Sequence, residues 1–413
     1  MLYNVDAALE RVLSAIAPLP AETIRLEAAY DRILAQEVIA PISLPPFANS
    51  SMDGFAVRAS DTVGASRATP VHLRVAFDLP AGTQPPRALA SGEAARIMTG
   101  APLPEGADAI VPVEDTDQQF SAGAKDGVPE AISIFREVNA GAFVRPVGED
   151  IQAGQRLLAE GRQISAADMG LLAAIGQAEV RVRRRPRVAV VSTGDELIAI
   201  DAPLEPGKIR DSNRYALSGL IQQYGGEPIL IPTARDTLED VRHRFEQALA
   251  AQPDIILSSA GVSVGAFDVV RAVLTELGQV DFWRVNLRPG KPLAYGYLRG
   301  IPFFGLPGNP VSAMVTFDVF VRPVMLVMGG RSDPLPTITA LVGEPISSDG
   351  RRSYVRVKLV RDNGQLIAKT TGPQSSGVLS SMVLADGLLI IPEGVTDVEV
   401  GEQLPVRLLR PII

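Results

Sequence analysis

Residues 253–278 constrain the fold of this chain more than any other stretch. The run Pro253-Asp254-Ile255-Ile256-Leu257 has the apolar texture of a strand buried on both faces of a parallel sheet. It passes into Ser258-Ser259-Ala260-Gly261-Val262-Ser263-Val264-Gly265-Ala266-Phe267-Asp268, a turn of small residues. Beyond it, Val269/Val270, Val273, Leu274 and Leu277 share one helical face, and Gly278 can end the helix. A strand turning through small residues into a helix leaves backbone N–H groups uncovered, which suits an anion. Ser258, Ser259, Gly261, Ser263 and Gly265 allow a ligand close to the main chain, and with Val262 they form the candidate binding turn. Similar turns also occur with no ligand, so the rest of the chain must decide.

From Arg187 onward the pattern alternates. Residues 188–191, 228–231, 255–257 and 280–285 read as strands; 213–224, 238–251 and 311–328 read as helices; 292–298 with 301–304 reads as a hairpin. This alternation predicts a mostly parallel sheet with helices on both faces, whose ligands bind at the carboxyl ends of the strands. After Gly329-Gly330, short alternating runs predict a small β barrel or sandwich.

The first 180 residues have another texture. Residues 6–16 predict an amphipathic helix capped by Asp6, and 27–34 a second helical piece. The Pro-rich passage 41–47 reads as a rigid crossing between domains. Short runs at 55–57, 71–76, 94–98, 109–113 and 131–135 predict a β domain, interrupted by the stiff, polar-tipped loop 96–108. Ser165 caps a helix over 165–175 with Asp168 in its first turn. Five arginines in 181–187 read as a solvated linker, with anion binding as the second choice.

A chain of 413 residues implies about two to four domains. A net charge of −8 argues against a nucleic-acid footprint, though not against a small anion held by a local cluster. The absence of cysteine excludes thiolate catalysis, disulfides and thiolate-bound metal. No signal peptide is read at the start, and Asp318, Arg322 and Pro323 break the longest apolar stretch, so no membrane span is expected. A cytoplasmic address fits. His72 falls on the polar face of a strand and His243 in a charged helix, which makes a His-based triad an unfavourable reading.

The remaining chemistry belongs to carboxylates, hydroxyls, cations and amides. Thr193-Gly194-Asp195-Glu196 offers two acids at a strand end, Arg284, Arg288 and Lys291 a cationic stretch, and Asn309-Pro310-Val311-Ser312 a hydroxyl at a helix start. Together they describe a site for a phosphate-bearing anion with Mg²⁺, since oxygen ligands select hard metals.

The ordered set Pro46-Phe47, 49–57, 96–108, 148–151, 192–197, 211–213, 261–265 with Asp268, 288–292 and 306–313 closely resembles the molybdopterin molybdenumtransferase family, which includes bacterial MoeA and the E domain of gephyrin. The resemblance implies molybdenum cofactor biosynthesis, with molybdate inserted into adenylylated molybdopterin and AMP released. It implies a multidomain α/β plus β fold: a discontinuous linking domain (1–45 and 141–182), a β-rich insertion (46–140), a molybdopterin-binding α/β domain (183–330) and a C-terminal β barrel (331–413). It further implies a homodimer whose active cleft lies between the α/β domain of one subunit and the insertion of the other.

Asp53, Thr99, Asp150, Asp195, Glu196, Asp236 and Asp268 resemble the family's catalytic set, with Asp53, Glu196 and Asp268 expected to hold Mg²⁺. Arg284, Arg288, Lys291, Pro292, Pro307, Asn309, Pro310, Ser312, Arg356 and Ser376 resemble its substrate-binding set. Of these, Lys291, Pro292, Ser312, Arg356 and Ser376 are placed around the oxyanion. Arg stands at 284 and 288 where the family often has Lys, which keeps charge but not point-charge geometry. Two rivals stay open. One is the adenylyltransferase of the same pathway, which resembles 187–330 alone; the other is a binding scaffold of the same fold.

Overall fold

The computed structural model describes residues 2–119, 127–259 and 267–411. The chain forms two compact units: Met1–Ile24, Asp31–Ala35 and Arg181–Ile413 make one, Arg25–Tyr30 and Gln36–Val180 the other.

The larger unit begins with helix α1 (Val5–Leu13). Its cap is Asn4, whose side chain accepts from the Asp6 and Ala7 N–H groups, and not Asp6. Asp6 is drawn instead into an ion pair with Arg352 at 2.6 Å. The helical piece expected over 27–34 shortens to a single 3₁₀ turn, Leu26–Ala28, and Asp31 adopts φ +63°, a left-handed conformation that no helix continues through.

The smaller unit is built on a five-stranded sheet: β1 (Gly54–Val57), β2 (Val71–Leu79), β3 (Glu93–Ile97), β4 (Ala109–Pro112) and β5 (Ala131–Ile134), in the order β4-β1-β3-β2-β5. Alternate side chains leave its two faces. Phe55, Val57 and Val111 enter one apolar cluster, while Ala56, Ile97 and Ile110 enter another. Covering both faces explains why every residue of β1 is buried. Helix α2 (Ala166–Ala174) carries the expected capping box, Ser165 and Asp168 each receiving the other's backbone N–H.

In the larger unit, β6 (Arg187–Ser192), α3 (Ser212–Gln223), β7 (Glu227–Leu230), α4 (Leu238–Ala250), β8 (Ile255–Ser259), α5 (Phe267–Leu277), β9 (Gly278–Arg284), β10 (Pro292–Leu298) and β11 (Ile301–Leu306) form the α/β part. The sheet runs β7-β6-β8-β11-β10-β9, parallel across its first four strands and antiparallel across the last two pairs. Val188 and Val190 point into one core cluster with Leu217 and Val315, and Ala189 and Val191 into the other with Val241 and Val273. Of the arginine run, Arg184 is not a solvated face. It grips Asp254 with both terminal nitrogens (2.8 and 2.6 Å), and Asp254 also accepts the Arg187 N–H at 2.8 Å, which fixes the start of β6.

Helix α6 (Pro310–Gly329) contains a π turn at Phe317–Val321. It is long and apolar enough to cross a membrane, but 83% of its 18-residue apolar window is packed inside the protein, so it is a core helix. Asp318 lies within the π turn, 3.0 Å from Arg322 and 3.2 Å from Arg407; burial pushes its carboxyl up while the two guanidinium groups oppose the shift. The C-terminal strands β12 (Thr337–Val342), β13 (Arg352–Asp362), β14 (Gln365–Thr370), β15 (Gly387–Ile391) and β16 (Gln403–Leu408) pair in the order β13-β14-β12-β16-β15. Because β15 also pairs with β13, they close a five-stranded barrel.

Candidate active site

The parallel strands β6, β8 and β11 end at Ser192, Ser259 and Leu306, and their carboxyl ends open onto a cleft of about 450 Å³. Glu196, Asp211, Asn213, Ser259, Pro292, Pro307, Asn309, Pro310 and Ser312 line it. Ser258 and Ser259 are both buried, and the Ser192 and Ser258 hydroxyls have no hydrogen-bond partner among the described residues. The wall formed by α6 begins with Pro310 at its first turn, where a missing N–H costs nothing. Asn309 donates its side-chain amide to Ser376 Oγ at 2.9 Å, and Val311 N–H donates to the Ser376 carbonyl at 3.1 Å. The loop that carries Ser376 is thereby seated on the start of α6.

After β6 the chain turns at Gly194, φ +150°. A Cβ there would lie 2.6 Å from a Glu196 carboxylate oxygen, so only glycine lets Glu196 fold over the turn. The Glu196 carboxylate has no protein partner among the described residues. Asp195 and Asp236 lock reciprocally: each accepts the other's backbone N–H, at 3.1 and 3.3 Å. The second carboxylate oxygen of Asp236 is buried with no partner among the described residues.

Around Pro292, Lys291 and Arg284 are exposed and Arg288 is half-buried, 3.8 Å from Asp349. Arg356 is 99% buried and donates to Ser381 Oγ (3.1 Å) and the Ser375 carbonyl (3.2 Å). No carboxylate pairs with it among the described residues. Burial, helped by the nearby charge of Arg288, pulls its guanidinium down to about 10. Arg288 and Arg356 both face a cavity of about 40 Å³ with Ser347, Ser353 and Gln374. Two cations around a small polar gap suit a compact anion.

Asp53 and Thr99 belong to the smaller unit, where one Asp53 oxygen accepts both the N–H and the hydroxyl of Thr99, each at 2.7 Å. Asp150, also there, is exposed and bonds through its own N–H to the Leu44 carbonyl. Asp268 is exposed in the first turn of α5, and Gly261, Val262, Ser263 and Gly265 lie outside the described residues. Among the described residues, no three acidic or imidazole groups gather into a metal cage; Asp53 lies in the smaller unit, and Glu196 and Asp268 lie in the larger. Asp211 and Asn213 also line the cleft; the sequence marks them only as part of the 211–213 motif of the resemblance, with no role attached, and here Asp211 caps α3 while Asn213 is its second residue.

Residues 3–176 match the MoeA N-terminal region (domain I and II), 189–326 a probable molybdopterin binding domain, and 339–409 the MoeA C-terminal region (domain IV). Molybdopterin molybdenumtransferase 2 of Mycobacterium tuberculosis (strain ATCC 25618 / H37Rv) is 40% identical over 93% of this chain and 94% of its own length. The molybdopterin molybdenumtransferase of Haemophilus influenzae is 34% identical over 98% of each. The crystal structure of the molybdopterin biosynthesis moea protein from Pyrococcus horikosii superposes with a TM-score of 0.82, at 35% identity and full coverage of both chains.

Proposed function

The chain belongs to the molybdopterin molybdenumtransferase family, and from that premise we propose that it inserts molybdate into adenylylated molybdopterin, releasing AMP and molybdenum cofactor in the cytoplasm. The observation that carries this reading is the cleft at the strand ends, where buried hydroxyls, a helix start and an unpartnered Glu196 meet Pro292 and Ser312 beside the Arg288–Arg356 cavity. The nucleotide-tagged pterin lies in the cleft and the oxyanion beside Lys291, Pro292, Ser312, Arg356 and Ser376. The cations draw both anions together, and their fixed positions reduce the reorganisation needed as charge shifts in the transition state. A molybdate oxygen attacks the AMP phosphorus and the pterin phosphate leaves with the electrons of the broken P–O bond; the dithiolene sulfurs then bond molybdenum as its Mo–O bond to the adenylyl group breaks, and AMP departs carrying that oxygen.

Glu196, without a protein partner among the described residues, and the bare Asp236 oxygen fit a hard divalent ion; Mg²⁺ is the implied metal, which Glu196, Asp268 and Asp53 would hold. When bound, Mg²⁺ offsets phosphoanhydride charge. Asp195, tied to Asp236, holds the turn in place beneath it. The working form is a homodimer in which Asp53 and Thr99 of one copy serve the cleft of the other. The domain boundaries are those implied by the family resemblance.

The test is AMP release from adenylylated molybdopterin, dependent on both Mg²⁺ and molybdate. Asp268→Asn keeps the fold and lowers AMP release sharply, whereas an undiminished rate removes Asp268 from the mechanism. Mixing Asp53→Asn with Asp268→Asn subunits restores activity only if the site is shared between copies.

A further inference from the structure

We propose that Asn213 is a positioning residue that sets the spacing of the cleft and fixes the direction of the Ser259 hydroxyl. Asn213 is the second residue of α3, within its first turn, and 9% exposed. Its side-chain amide nitrogen donates to Ser259 Oγ at 2.8 Å and to the Gly308 carbonyl at 2.7 Å. A carbonyl can only accept, so the atom facing Gly308 must be the nitrogen, and the orientation of the amide is set by chemistry.

The β8–β11 ladder ends at the pair Ser259–Leu306. Past that pair β11 leads into residues 307–310, which wall the cleft together with Ser259. Asn213, from a third element, makes the link beyond the ladder, at Gly308, two residues after the end of β11. Its hydrogens are both used, one on each side. The Ser259 oxygen therefore receives a hydrogen bond, and its own hydrogen is left to donate. A hydroxyl committed in this way is a donor at the cleft wall, suited to a phosphate oxygen. The inference rests on the proposed anionic substrate.

The test compares wild type, Asn213→Ala, Asn213→Asp, Ser259→Ala and the Asn213→Ala/Ser259→Ala double variant in AMP release. Hydrogen bonds to charged groups suggest a KM for adenylylated molybdopterin raised on the order of tenfold or more in each single alanine variant, with kcat changed by less than about threefold. The double variant is no worse than Ser259→Ala alone, because one residue acts through the other. Asn213→Asp is the most impaired, since a carboxylate accepts the Ser259 hydrogen and turns it away from the cleft. A loss of thermal stability with KM unchanged, or effects that multiply in the double variant, would overturn the proposal. If wild type itself releases no AMP, the proposed reaction fails instead. The clamp is then read from hydrogen exchange at residues 307–312: faster exchange in Asn213→Ala sustains it, and unchanged exchange refutes it.

Discussion

Gly290→Ala is a small change with a large expected effect. Gly290 stands between the Arg288-Pro289 pair and Lys291, with φ +109°, a conformation that side chains other than hydrogen rarely adopt. A Cβ built there lies 2.4 Å from Thr316 Oγ1 in α6, where real side-chain carbons stay beyond 3.0 Å, so the loop or the helix must yield by about 0.6 Å. Thr316 is fully buried in a packed helix, which leaves the loop to move. Backbone strain of about 1–3 kcal/mol adds to the steric cost. The segment displaced carries Arg288 and Lys291. Misplacement of reacting groups by about 1 Å can cost on the order of a hundredfold, so a fall of roughly 10- to 100-fold in kcat/KM for molybdate is expected. AMP release titrated with molybdate measures it, alongside a thermal melt. Gly290→Ala/Thr316→Ala separates the causes: removing Oγ1 relieves the collision and recovers part of the activity, leaving only the strain at φ +109°. Wild-type kinetics in the single variant, or no recovery in the double one, would refute the reasoning.

Two further outcomes concern stability. Asp254→Ala removes the Arg184 grip and the Arg187 N–H bond together and leaves a part-buried guanidinium unpaired; a loss of roughly 2–3 kcal/mol in urea unfolding is expected, with KM unchanged below the melting temperature. The Arg87 guanidinium, with the Ala90 N–H, holds the Glu93 carboxyl at about 2, below its ordinary 4.5. A depressed acid contributes stability that is complete above pH 4.5 and is lost as pH falls toward 2, so Glu93→Gln flattens the acid limb of the urea midpoint in that window.

Local patterns were legible in the sequence wherever neighbours along the chain decide the structure. The Ser165–Asp168 capping box and the strand–helix alternation after Arg187 need only contacts within a few residues, and both form as expected. The exceptions are decided at long range. Asn4 and Asp6 are both good caps, and Arg352, 346 residues away, takes Asp6 out of contention. The arginine run looked solvated because Asp254 lies 70 residues from Arg184. The family resemblance marked Pro292, Ser312 and Arg356 without their geometry. Nothing in composition signals that the Arg356 guanidinium is buried among hydroxyl and carbonyl partners and, among the described residues, no carboxylate. The resemblance over 211–213 marks Asn213 without its role, because its two bonds reach residues 46 and 95 positions away.

The C-terminal barrel is fastened to α6 twice. Near the helix start, Ser376 meets Asn309 and Val311; within the π turn, Asp318 meets Arg407. Nine residues of helix put these fastenings roughly 13 Å apart along the axis. One attachment is a pivot about which a domain can swivel; two at that separation make a splint. Under the proposed function, discrimination among oxyanions rests on a gap of set dimensions and not on a closing motion.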